Sequence, residues 1–103
     1  MASRHHMQFI SEHNPAWAVV PGLSLSTWPD EDEAIVYLSE TGDVHWLSGT
    51  ARAVMECLQR QDSMSEAELY QSLSAVAAYD KYDLSEHCIP YLRSLGLICQ
   101  VSL

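Results

Sequence analysis

The hydrophobic period of the sequence changes within residues 42–58, and this change constrains the fold more than any other feature. Val44–Leu47 is a short run of β-branched and aromatic residues, which is typical of a strand. Directly afterwards, apolar residues recur at the three- and four-residue spacing of one helix face: Ala51, Val54, Met55 and Leu58. A strand therefore leads into a helix with almost no loop, so the sheet must pack closely on a helical layer.

Three strands joined by short turns are predicted up to this point. Residues 23–28 alternate apolar and polar side chains, Ala34–Leu38 is apolar throughout, and Val44–Leu47 is the third strand. The first turn, residues 29–33, is proline followed by four acids, and the second, residues 39–43, contains a glycine. These strands predict an antiparallel meander in which the third strand is an edge.

Two helices are predicted after the junction. Ser48 is expected to cap the first helix, from about Gly49 to Arg60, because its side-chain oxygen can accept a hydrogen bond from a free backbone N–H group. Ser65 and Glu68 have the spacing of a capping box for the second helix. Its buried stripe is expected at Leu69, Leu73, Val76 and Ala77.

A third helix is predicted after a loop at residues 79–82. Asp83 and Glu86 again have capping-box spacing, and the expected buried stripe is Leu84, Cys88, Leu92 and Leu95. Pro90 lies inside this helix and is expected to kink it near Glu86, because proline lacks a backbone N–H group. Gly96 should end the helix, and residues 97–101 should form a short strand or an extended tail.

These elements predict an α+β fold in the order β-β-β-α-α-α. The sequence pattern does not decide whether a short C-terminal strand follows. The expected architecture is winged-helix-like: a three-stranded antiparallel β-meander followed by a three-helix bundle. At 103 residues we expect one domain, residues 22–103, preceded by an N-terminal arm, residues 1–21, that packs loosely on it. Residues 1–7 contain a His-His pair, and we interpret part of this segment as the remnant of an expression tag.

Composition narrows the classes of partner. The net charge of −9, from 14 acidic and 5 basic residues, argues against nucleic acid and anionic membrane surfaces. No apolar run approaches the ~20 residues that a membrane span needs. The cysteines Cys57, Cys88 and Cys99 form no C-x-x-C motif, which favours free thiols and a cytoplasmic protein.

No motif in the sequence indicates catalysis. G-x-S-x-G, P-loop and G-x-G-x-x-G patterns are absent from the sequence. His87 and Cys88 are neighbours on a predicted helix, where adjacent side chains point about 100° apart, so they form a poor catalytic pair. The histidines and cysteines also lack the spacing of zinc ligands. We therefore expect no catalytic residue, no metal site and no cofactor.

The free edge of the third strand is the feature that indicates a function. Such an edge presents unpaired N–H and C=O groups that can accept an extended peptide as a further strand. Trp46, Tyr37 and Tyr91 could form pockets beside it, although each could equally be a core residue. Two alternatives stay open. One is a winged-helix transcription regulator, although the third helix offers Arg93 as its one cation, and the other is an interaction subunit that forms a homodimer through Trp46 and the edge.

Three segments, taken in order, resemble the PqqD-like family. They are residues 33–37 (Glu-Ala-Ile-Val-Tyr), residues 41–48 (Thr-Gly-Asp-Val-His-Trp-Leu-Ser) with the helix that follows, and residues 92–98 (Leu-Arg-Ser-Leu-Gly-Leu-Ile). The resemblance covers about residues 28–98. It is greatest to the branch found in gene systems with an HPr-kinase-related protein.

The resemblance implies a RiPP recognition element, a non-catalytic peptide chaperone of the kind that serves coenzyme PQQ synthesis and similar biosynthesis. Such domains hold the leader of a precursor peptide as an added strand between the third strand and the third helix. They present it to a modifying enzyme, which would be a radical SAM protein or, in this branch, an HPr-kinase-related protein. The peptide-binding residues that the resemblance implies are Val44, His45, Trp46, Leu47, His87, Cys88, Tyr91, Leu92 and Leu95. Pro90 departs from the family pattern in the helix wall.

Overall fold

Within the described part of the chain, six strands in two antiparallel sheets, together with three helical segments, confirm the α+β class. The computed structural model describes residues 15–76 and 80–101. The strands are β1 (Ala16–Val19), β2 (Leu23–Thr27), β3 (Ala34–Leu38), β4 (Val44–Leu47), β5 (Met64–Ser65) and β6 (Ile98–Val101). The helices are α1 (Gly49–Arg60), α2 (Glu66–Ser74) and α3 (residues 81–94). The sheets have the strand orders β5-β1-β6 and β2-β3-β4.

The predicted meander is the sheet β2-β3-β4, with β3 in the centre and β4 at an edge. Val36 pairs with His45, and Tyr37 pairs with Val44, so β3 and β4 are antiparallel and in register over their length. Alternate residues of β3 are buried, namely Ala34, Val36 and Leu38. One face of this sheet therefore packs on the core, and the other face, which carries Tyr37, is directed away from it.

The second sheet was not predicted, and it changes the interpretation of the N-terminal arm. β1 pairs with β6 over four residues and with β5 over two. Trp17 in β1 is only 5% exposed and belongs to the core. The expected loose packing of the arm is therefore wrong for residues 16–19, because a strand buried between two others cannot be a loosely attached segment. Residues 1–14 lie outside the described part.

The helix ends follow local capping signals with one exception. α1 has the predicted bounds, but Ser48 at its N-cap makes no side-chain capping bond. At α2 the predicted capping box is confirmed, since the Glu68 N–H donates to Ser65 Oγ at 3.2 Å and the Ser65 N–H donates to Glu68 Oε1 at 2.8 Å. The predicted stripe of α2 is confirmed at Leu69 and Leu73.

The same stripe is wrong at Val76, which is 81% exposed because α2 already ends at Ser74. The expectation for Ala77 lies outside the described residues.

α3 begins earlier than predicted. Asp80 is its N-cap and accepts a hydrogen bond from the Tyr82 N–H at 3.0 Å. Asp83 therefore lies inside the helix and the predicted Asp83–Glu86 capping box is wrong, because an equally suitable cap occurs three residues before it. Tyr82, predicted in a loop, is helical.

A π-helical turn precedes Pro90. α3 consists of an α-helical turn at Lys81–Asp83, a π-helical turn at Leu84–Cys88 and an α-helical part at Ile89–Ser94. The Ile89 N–H donates to the Leu84 carbonyl, one residue farther than in an α-helix. The helix is thus irregular around Glu86, where the proline was predicted to disrupt it, and the irregularity takes the form of a wider turn.

The end of α3 follows the prediction. Gly96 has a φ of +79°, which suits glycine, and its N–H donates to the Arg93 carbonyl at 3.0 Å. The Leu97 N–H donates to the Leu92 carbonyl at 3.1 Å, which completes a Schellman motif. β6 follows directly and confirms the predicted final strand.

Both sheets and all three helices contribute to one core. Its buried members include Trp17, Val36, Leu47, Val54, Met55, Leu69, Leu84, Leu92 and Ile98.

None of the helices among the described residues has the length and the apolar content that a membrane span requires.

The two serines at helix N-caps should differ in their contribution to stability. Ser65→Ala removes a side-chain acceptor from the Glu68 N–H and should lower the free energy of unfolding by about 1 kcal/mol. Ser48→Ala is the matched control and should cost less than about 0.5 kcal/mol, since Ser48 makes no capping bond. Urea denaturation followed by circular dichroism measures both, and equal losses would contradict the assignment.

Trp17 should be a stability residue rather than part of a detachable arm. Trp17→Phe should cost about 1–3 kcal/mol, because a buried ring becomes smaller and leaves a cavity. Trp28→Phe changes the same side chain at a 45% exposed position and should cost less than about 0.5 kcal/mol. Urea denaturation measures both free energies of unfolding, and equal losses in the two variants would contradict a contribution of the Trp17 ring to the core.

Candidate functional site

A groove lies between the first turn of α1 and one face of α3. Its volume is about 360 Å³, which is within the range of about 300–1,000 Å³ typical of ligand pockets. Its lining residues are Thr50, Ala51, Asp83, His87, Cys88 and Tyr91. The walls are mostly apolar, with a carboxylate and an imidazole one helical turn apart on α3.

The groove begins close in the chain to the strand at the open edge of the meander, although no residue of that strand is among its lining residues. Among the described strands β4 pairs only with β3, so its other edge has backbone groups without strand partners. β4 ends at Leu47, and Thr50 of the groove wall follows three residues later. The strand with the open edge is therefore followed, within three residues, by one wall of the groove.

The structure brings together only part of the residue set that the resemblance implies. His87, Cys88 and Tyr91 line the groove. Leu47 and Leu92 lie in the core, and Leu95 is half-buried against it. Thr50, Ala51 and Asp83 line the groove and were not among the implied residues. The four-residue spacing of Asp83, His87 and Tyr91 on one helix face is the signal that could have identified Asp83.

The four residues of β4 divide between the two faces of the sheet. His45 and Leu47 pair with the buried residues Val36 and Ala34 and lie on the core side. Val44 and Trp46 lie on the opposite face and are 53% and 60% exposed. His45 Nε2 is buried and has no hydrogen-bond partner among the described residues.

We call the face of the sheet β2-β3-β4 that is directed away from the core the outer face. Its apolar members are Ile35 and Tyr37 of β3 with Val44 and Trp46 of β4. They form two direct cross-strand pairs, Ile35 with Trp46 and Tyr37 with Val44. Three of them are exposed large side chains, and contiguous exposed apolar residues usually mark an interaction surface.

Electrostatics in the groove oppose nucleophilic chemistry at Cys88. Burial, with a smaller effect from the negative charge of Asp83, raises the pKa of the Cys88 thiol from its ordinary 9.0 to about 11. The thiol is therefore protonated at neutral pH, and the thiolate is the reactive form. The His87 ring packs edge-on against Tyr82, with centroids 5.8 Å apart.

A second pocket, of about 460 Å³, lies on another face of α3. It is lined by Trp17, Glu66, Ser85, Ile89, Pro90, Arg93 and Ser94. The Arg93 guanidinium lies over the Trp17 ring, 5.5 Å from its centroid. Arg93, the cation that a DNA-binding third helix would need, is thus packed on the core tryptophan.

Within residues 15–76 and 80–101, no three histidine, cysteine or acidic side chains lie close enough together to hold a metal ion. The three cysteines are free thiols. No family model matches this chain, and no curated protein or solved structure matches it.

The raised pKa of Cys88 should appear in its alkylation kinetics. At pH 8, a shift of the pKa from 9.0 to about 11 lowers the thiolate fraction about 100-fold, so iodoacetamide should label Cys88 far more slowly in the folded protein than in urea. Because the folded pKa is the higher one, the folded rate should keep rising up to about pH 11, after the unfolded rate has levelled off. Mass spectrometry distinguishes Cys88 from Cys57 and Cys99. If the alkylation rate of Cys88 had the same pH midpoint in the folded and the unfolded protein, the raised pKa would be contradicted.

Proposed function

We propose that this protein is a non-catalytic peptide-binding adaptor, a winged-helix-like member of the PqqD-like group. It holds the leader of a precursor peptide by β-strand addition and presents it to a modifying enzyme. The observation that carries the proposal is the open edge of β4, which is followed within three residues by a wall of the groove between α1 and α3. The partner enzyme in this proposal is a radical SAM protein or an HPr-kinase-related protein, as the resemblance of the sequence implies.

The two parts of the site would make different contributions. The β4 edge would pair with the peptide backbone and supply affinity that depends little on sequence. The groove would take one or two side chains, with Ala51 and Tyr91 as its apolar walls and Asp83 as an acceptor for a cation. Selectivity would come from these side-chain contacts.

Two further observations support an adaptor rather than an enzyme or a DNA-binding protein. The thiol in the groove is protonated at neutral pH, which makes it a poor nucleophile. α3 carries two cations, Lys81 and Arg93, and two anions, Asp83 and Glu86, in a chain with a net charge of −9.

The site of action in this proposal is the cytoplasm. The three cysteines are free thiols, as is usual for proteins of that reducing compartment.

A homodimer is the second candidate, and the outer face favours it. Val44 and Trp46 lie beside the same open edge that a second copy could pair with. Sedimentation velocity without peptide tests this candidate directly.

Strand addition predicts a particular response to backbone methylation of the peptide. Leader segments from precursor peptides encoded beside the gene are titrated into ¹⁵N-labelled protein, and shifts should concentrate at Val44–Leu47, the start of α1 and the groove residues of α3. N-methylation at alternate peptide positions should then weaken binding at least about tenfold in one frame and under about threefold in the other, because only one set of N–H groups faces β4.

Matched protein variants accompany this titration. Tyr91→Ser should weaken binding about tenfold by removing a groove wall. Trp28→Ser should leave binding unchanged, since Trp28 follows β2 at the far edge of the sheet. An unmoved spectrum with every leader segment, or equal effects in both methylation frames, would refute strand addition at this edge.

A further inference from the structure

The two edges of the meander differ in chemistry on the outer face. β2 presents Ser24 and Ser26 there, opposite Tyr37 and Ile35 of β3. β4, the other edge, presents Val44 and Trp46. The outer face is therefore polar at the β2 edge and apolar at the β4 edge. Protein edge strands are normally protected by charged or polar side chains, so the apolar side chains mark the edge that a further strand covers.

Both ends of the β4 edge are acidic. The turn before β4 contains Glu40 and Asp43, and both are exposed. The other end lies beside the turn between β2 and β3, because Leu47 pairs with Ala34, the residue that follows Glu33. That turn carries four consecutive exposed acids: Asp30, Glu31, Asp32 and Glu33.

A cation that lies at the turn between β2 and β3 is already engaged. Arg52 in α1 pairs with Glu56 at 3.4 Å and donates a hydrogen bond to the Glu31 carbonyl. The carboxylates at the two ends of β4 therefore have no ion pair among the described residues. Their field favours cations in whatever lies along the edge.

A second copy of the chain fits this charge pattern poorly. Antiparallel pairing of two β4 strands would place the end near Asp43 in one copy beside the end near Glu33 in the other. Carboxylates would then face carboxylates at both ends of the shared edge.

We propose that the segment which pairs with β4 is a basic, extended peptide with an apolar centre. Its residues on the outer face are β-branched or aromatic and pack beside Val44 and Trp46, and Lys or Arg residues occupy both of its ends. This inference rests on the proposed function and specifies the class of peptide that the site selects.

Three synthetic peptides test the chemistry. The first has two lysines at each end of an alternating Val-Thr-Tyr-Thr-Val centre. The second replaces the four lysines by glutamates, and the third keeps the lysines and replaces the Val and Tyr residues by serine. In fluorescence anisotropy at about 50 mM salt, the first should bind at least about tenfold more tightly than the second. The difference in affinity between the first and the second peptide should become smaller at about 300 mM salt, because salt screens exposed charges.

Protein variants locate the apolar contact. Trp46→Ser should weaken binding of the first peptide about fivefold, because the substitution removes a cross-strand contact on the outer face. It should change the affinity for the serine-centred peptide little. Trp28→Ser, the matched control, should not change either affinity. Asp43→Lys should lower the preference for lysine over glutamate ends, while Glu66→Lys, remote from β4, should not.

The outcomes separate this inference from the proposed function. Equal binding of the first two peptides, or an unchanged affinity in Trp46→Ser, overturns the inference even if natural leader segments pair with β4. Binding of the lysine-ended peptide with no response to any leader segment overturns the leader-binding function and supports the basic-peptide site. A dimer in sedimentation velocity that Trp46→Ser dissociates, or no peptide bound at about 1 mM, overturns the inference.

Discussion

The junction between β4 and α1 is the constraint on which the site depends. Only Ser48 separates Leu47, which is buried, from Gly49, which begins the helix with a φ of +57°. A residue with a side chain would be strained at that φ, so glycine permits the abrupt turn. Because the strand and the helix are joined so closely, the end of β4 and the groove wall at Thr50 have a fixed relation.

α3 supplies the opposite wall, and its irregular turn influences which side chains reach it. The π-helical turn at Leu84–Cys88 shifts the helical faces relative to a regular helix. Leu84 and Leu92 face the core, while His87 and Tyr91 line the groove. Cys88 lies between the two environments, largely buried yet in the groove wall, and its raised pKa reflects that burial. The Cys88 thiol in the groove wall is accordingly protonated at neutral pH.

Prediction from the sequence succeeded where the signal was local. The bounds of β3, β4 and α1, the Ser65–Glu68 capping box and the Gly96 helix end all arise from residues within a few positions of one another. It failed where two local signals were equivalent, as with Asp80 and Asp83, which are both suitable N-caps. It also failed for the second sheet, since Trp17 pairs with Met64 and Gln100, and nothing near Trp17 in sequence encodes those partners.

The site shows the same division. The sequence alone determined that Val44–Leu47 is a strand, that a helix follows it directly, and that Val44 and Trp46 share a face, because these are local properties of the chain. Only the tertiary structure decided that this face is exposed, that Leu92 is buried while Tyr91 lines the groove, and that carboxylates lie at both ends of the edge. The physical reason is that burial and proximity depend on packing between elements distant in sequence, and no short segment carries that information.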